Sequence, residues 1–112
     1  MNCEGIWKVE MTTPYGWERV ATAFMKNGRY LAASANHYSV GTYKQNGDEV
    51  EISTRVTQYG DIRTMFGKKS MVNLDVKSKC KIEENGIIGK SKAEGRKGYD
   101  VLIRLTRLAD LD

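Results

Sequence analysis

The sequence predicts an all-β fold, an eight-stranded up-and-down antiparallel barrel, from three observations. Apolar and polar residues alternate with a period of two, as in Val50, Ile52, Thr54 and Val56 against Glu49, Glu51, Ser53 and Arg55, the pattern of a sheet with one dry face. Three Asn-Gly dipeptides, at 27–28, 46–47 and 85–86, separate such runs, and this pair tolerates the positive φ angles of a two-residue type I′ hairpin turn. Eleven glycines against one proline suit a meander of tight turns. At 112 residues the chain is about one domain, residues 1–112 forming a single barrel around one core.

The elements follow in order. Residues 5–12 set Trp7, Val9 and Met11 against Lys8 and Glu10, a half-buried first strand, and Pro14-Tyr15-Gly16 turns it. Residues 17–26 form a second strand whose buried face stays open, because Val20, Thr22 and Phe24 compete with Ala21, Ala23 and Met25. Asn27-Gly28 leads to a short third strand, 29–34, and a corner near Ala35 to the fourth, which begins at His37. Asn46-Gly47 joins it to the fifth, which runs to Gln58. Residues 59–69 form the one long irregular connection. Residues 70–83 alternate again, with Val72, Leu74, Val76, Ser78, Cys80 and Ile82 on one parity and Lys77, Lys79 and Lys81 on the other. Asn85-Gly86 precedes a seventh strand, 87–94, and the loop 95–98 precedes an eighth, 99–107. No segment offers a long amphipathic helix.

The three Asn-Gly turns occupy the second, fourth and sixth connections, so a meander places them all at one end. Closure into a barrel removes the exposed edges that eight strands would otherwise present, and it is favoured over a sandwich on that ground.

Charge is uneven. Residues 68–97 hold nine Lys/Arg and four Asp/Glu, a balance of +5, while the rest of the chain stands at −1. A lysine-rich strand face reads first as a solvated surface that discourages aggregation, with an anionic partner as the alternative. Lys77, Lys79 and Lys81, with Lys90 and Lys92 on the neighbouring strand, could track phosphates, but no stacking aromatic interrupts them, so nucleic acid is the disfavoured partner. No apolar run is long enough to span a bilayer, and residues 1–10 lack the pattern of a secretory leader; the expectation is a cytoplasmic protein without membrane association. Cys3 and Cys80 are too few for a disulfide scaffold and are expected reduced.

Catalytic chemistry requires a constellation, and none is legible. His37 is the sole histidine and reads as a hydrogen-bonded surface group. Gly89-Lys90-Ser91 resembles the end of a phosphate loop, yet Glu84 stands where its first glycine belongs. Gly95-Arg96-Lys97-Gly98 has the form of an RNA-clamping loop, but it joins strands rather than helices. No zinc, calcium or nucleophile-elbow spacing is present, so the expectation is a non-enzyme with no cofactor and no metal. A barrel of this size can also hold one small molecule. Trp7, Val9, Met11, Val50, Ile52, Val56, Val101, Ile103 and Leu105 would line its interior, with Arg63, Lys68, Lys69, Arg96 and Lys97 at the mouth. In that alternative Trp7, Val9, Met11, Ile52, Val56 and Ile103 are the ligand contacts, and the cargo is a small amphipathic, lipid-like anion.

Gly5-Ile6-Trp7 on the first strand, with Arg104 or Arg107 on the last, is similar to the Gly-x-Trp signature and packing arginine of the lipocalin and fatty-acid-binding group. A longer series resembles the GrlR-type regulators, negative regulators of type III secretion gene expression. It comprises Gly5-x-Trp7-x-Val9, Asn27-Gly28-Arg29, Tyr38-x-x-Gly41-x-Tyr43, Gly47-Asp48-x-Val50 and Leu105-x-Arg107-x-Ala109-Asp110. The resemblance implies a lipocalin-like homodimer that represses by binding a transcriptional activator. The family's acidic surface motif, Glu-Asp-Glu-Asp, falls over Asn46-Gly47-Asp48-Glu49, where Asp48 and Glu49 keep the charge and Glu51 lies nearby. The resemblance therefore implies Asp48, Glu49 and Glu51 as partner-binding residues. Ala32-Ala33-Ser34 departs from it, standing where the family tends to show Gly-Gly-Asp.

Overall fold

Alternation along the chain resolves, in the computed structural model, into eight strands; residues 2–13, 15–35, 37–58, 73–84, 86–93 and 101–110 are described. They are β1 (Gly5–Thr13), β2 (Gly16–Lys26), β3 (Arg29–Ala33), β4 (His37–Asn46), β5 (Glu49–Gln58), β6 (Asn73–Glu83), β7 (Gly86–Ala93) and β8 (Val101–Ala109). Each pairs antiparallel with its neighbour in sequence, and β8 returns to β1 through Val9↔Leu105 and Met11↔Ile103. The barrel is closed, as expected. The expected irregular connection 59–69, the loop 95–98 and the basic mouth residues Arg63, Lys68, Lys69, Arg96 and Lys97 lie outside the described residues, as do 70–72.

The undecided face of β2 is settled by size. Ala21, Ala23 and Met25 are buried and Phe24 is exposed. Ala23 pairs with Trp7 and Ala21 with Val9, so small side chains leave the interior to the indole. The register then slips, Glu10 facing Arg19, and the extra residue, Val20, is partly buried against the core. Such a bulge bends a barrel strand.

Two hairpin turns sit one residue away from their expected places. Lys26 pairs with Arg29, leaving Asn27 and Gly28 central with φ of 52° and 78°, the expected type I′ geometry. Asn46, however, pairs with Glu49, so Gly47 and Asp48 are central and only Gly47 has positive φ, 66°. Glu83 likewise pairs with Gly86 rather than Glu84 with Ile87. Each shift moves the pairing by two residues, which leaves every side chain on the face that alternation assigned it.

Two buried clusters fill the interior. The larger contains Trp7, Val9, Met25, Tyr30, Tyr43, Val50, Ile52, Ile87, Ile103 and Leu105; the smaller joins Leu74, Val76 and Ala93 with partly buried Val56 and Val101. On β6, Ser78 lies between Val76 of one cluster and Cys80 of the other, and its hydroxyl meets that of buried Ser91 at 2.6 Å. The pairing satisfies two polar groups that burial would otherwise penalise. Gly41 faces Thr54 where a Cβ would fall 1.9 Å from the Ser53 carbonyl oxygen, so only glycine permits this approach of β4 to β5.

Candidate functional site

The turn between β4 and β5 fixes the acidic residues. Gly47 adopts the positive φ, Gln45 Nε2 donates to the Gly47 carbonyl at 3.2 Å, and the Ile82 backbone N–H donates to the Asp48 carbonyl at 2.7 Å. The tip is thereby tied to β6, with Asp48, Glu49 and Glu51 exposed. The structure brings the three together on one hairpin.

It also places them beside cations that lie on the same outward parity. Glu49 faces Lys81 and Glu51 faces Lys79 across β5–β6, and Glu51 faces Lys44 across β4–β5. Beyond β6, Lys79 faces Lys90 and Lys77 faces Lys92. Glu49, Glu51, Glu83, Lys77, Lys79, Lys81, Lys90, Lys92 and Ile88 are among the residues lining an outer depression of about 810 Å³. Alternation alone identified these lysines as one outward face. Which lysine faces which needed the true turn register, because a turn centred on Asn85-Gly86 would set Lys79 opposite Lys92 rather than Lys90.

The residues expected to contact a ligand line the interior. Trp7, Val9, Ile52 and Ile103 are buried, and Met11 and Val56 are partly so. The packing arginine is Arg107, whose guanidinium lies 4.5 Å from the Trp7 ring centroid. It also donates to the Glu4 carbonyl at 2.6 Å, the Asn2 carbonyl and Asp110 Oδ1 at 3.1 Å. Gly5 makes room for it, since a Cβ there would stand 2.5 Å from Arg107 Nη1. Trp7 Nε1 donates to the Cys3 carbonyl at 3.0 Å, and the Asn27 N–H donates to Glu4 Oε2. Residues 2–4 are thus pinned across one end of the barrel.

One interior feature, the buried tyrosine, had no clear signal in the sequence, whereas the free cysteines were expected. Tyr30 is buried and its hydroxyl has no hydrogen-bond partner among the described residues; burial raises its pKa. Burial also pushes the Cys80 thiol up to about 12 and raises that of Cys3, and both cysteines are free. These thiols are poor nucleophiles, because reactivity follows the thiolate.

Outside, Arg104 lies over Trp17, 4.2 Å from its centroid, and donates to Glu10 Oε1 at 2.9 Å. That hydrogen bond is the main reason the Glu10 carboxyl lies below its ordinary pKa. His37 Nδ1 and Ser34 Oγ share a 2.9 Å hydrogen bond, and burial lowers the imidazole pKa. No group of His, Cys, Asp and Glu suited to a metal ion occurs among the described residues, nor does any helix long and apolar enough to cross a membrane. No protein-family model matches the chain, and no curated protein matches it.

Proposed function

We propose that the protein is a non-enzymatic regulator of the GrlR type, a cytoplasmic homodimer that captures a transcriptional activator through its acidic hairpin. The observation that carries this reading is the exposed set Asp48, Glu49 and Glu51, held on a turn that is hydrogen-bonded to β6. Carboxylates presented on a rigid element steer a basic partner and need little ordering when it binds. The residue series shared with GrlR-type regulators supports the same reading, and two free, buried thiols suit a reducing compartment. Isothermal titration against a basic transcriptional activator that copurifies with the protein from its native source tests it. Asp48→Lys combined with Glu49→Lys should weaken binding at least tenfold with the fold intact, and undiminished binding by the folded double variant would refute the role of these residues.

A second reading, an interior carrier of a small amphipathic ligand, is favoured by one observation, the buried Tyr30 hydroxyl, which has no hydrogen-bond partner among the described residues. Such a group favours an acceptor beside it. Solvent extraction and mass spectrometry of the purified protein decide the point: a stoichiometric small molecule supports the carrier, and its absence from protein purified from the native source rejects it.

A further inference from the structure

Among the described residues, lysines predominate on the outward face of β6 and β7. Lys79 stands directly opposite Lys90 and Lys77 directly opposite Lys92, an arrangement that opposes strand pairing. Lys79, Lys81, Lys90 and Lys92 form no ion pair among the described residues. Glu49 and Glu51 lie opposite β6 on one side only, so among the described groove residues lysines outnumber the carboxylates Glu49, Glu51 and Glu83. The same side chains line the depression of about 810 Å³.

We propose that this groove binds an extended, acidic segment of a partner protein. Outward lysines on one strand recur every second residue, about 6.7 Å apart, which is also the repeat of side chains on one face of an extended peptide. Glutamates at alternate positions of such a segment therefore match Lys79 and Lys81 along β6, and Lys90 and Lys92 along β7. One further feature selects a polypeptide over a nucleic acid: among the described residues, no aromatic side chain lines the groove for a base to stack on. Ile88, on the groove, and Leu102, which pairs with Lys90 on the next strand, are 40% and 42% exposed; they offer contact to an apolar residue of the segment.

Glu49 and Glu51 line this groove and also belong to the hairpin proposed for activator capture, so the two readings are separated by lysine variants that leave those carboxylates in place. The test is fluorescence anisotropy of the whole protein with a labelled nonapeptide alternating Glu and Ala around a central Leu. An all-lysine analogue and a single-stranded oligothymidine of equal length are compared beside it. The acidic peptide should bind, Lys79→Gln with Lys90→Gln should weaken its binding at least tenfold, and any binding of the lysine analogue to the acidic hairpin should survive that double variant. The same double variant should keep or raise the urea midpoint, because it removes a repulsion, which separates lost binding from lost structure. Lys81→Gln with Lys92→Gln repeats the measurement should the first pair fold poorly, and Lys26→Gln serves as the control. Peptide binding that none of these changes alters, or no peptide binding at all, would overturn the proposal. Preferential binding of the oligothymidine with loss in the same variants would overturn it in favour of a nucleic acid groove.

Discussion

Arg107 shows how one side chain can close an end of a barrel. It stacks on the buried Trp7 indole and binds the carbonyls of Asn2 and Glu4, so it joins the last strand to the first and to the segment ahead of it. Arg107→Ala should destabilise by about 2–3 kcal/mol in urea denaturation, from a lost cation–π contact and lost charge-assisted hydrogen bonds, with a change in Trp7 fluorescence. Arg107→Lys should recover part of this, since an ammonium lacks the planar fork that reaches both carbonyls. His37 gives a pH signature. Burial lowers its pKa below 6.5, so the unfolded chain holds the extra proton in the window just beneath that value. Its contribution to stability is therefore full above 6.5 and is lost as pH falls toward the folded pKa. His37→Gln should flatten the midpoint-versus-pH curve there, while the steeper loss at lower pH, to which Glu10 and Asp75 contribute through their lowered pKa values, should persist.

At the scale of elements, the same dipeptide does two different things. Asn27 occupies the left-handed region and Asn46 does not. Asn27→Ala should therefore cost about 1–2 kcal/mol, whereas Asn46→Ala should stay within about 0.5 kcal/mol; urea midpoints of the two variants make the comparison. Gly41→Ala should cost about 1–3 kcal/mol, because its Cβ meets the β5 backbone. These contrasts mark what was legible in the sequence. Period-two alternation survives a two-residue slip in register, so the inward sets Trp7, Val9, Met11 and Val50, Ile52, Val56 were readable together with their faces. Alternation is silent where both parities are apolar, as on β2, where the choice depends on a contact with Trp7 across the sheet. Register depends on which residue of a turn takes the positive φ, and Asn46-Gly47 as a pair does not say. The acidic hairpin was visible as a motif, but its lysine neighbours on β6 and β7 were visible only as a face, without the register that sets Lys79 opposite Lys90 and Lys77 opposite Lys92.

For the whole molecule, closure removes every free sheet edge among the described strands, which takes strand addition away as a route to partners. Recognition is left to outward side chains or to the interior. The outward face of β4 to β7 concentrates exposed carboxylates and lysines on hydrogen-bonded strands, whereas the interior holds Trp7, Met25, Ile87 and Leu105 fully buried. Our central claim is that the protein acts through that outer face. Its most direct measurement pairs an activator-binding isotherm with a urea midpoint for one outward and one inward variant. Asp48→Lys with Glu49→Lys should lower affinity at least tenfold at an unchanged midpoint, while Ile103→Val should lower the midpoint and leave the affinity of the folded protein unchanged. The reverse pattern, affinity lost with Ile103→Val and retained by the outward double variant, would contradict the account.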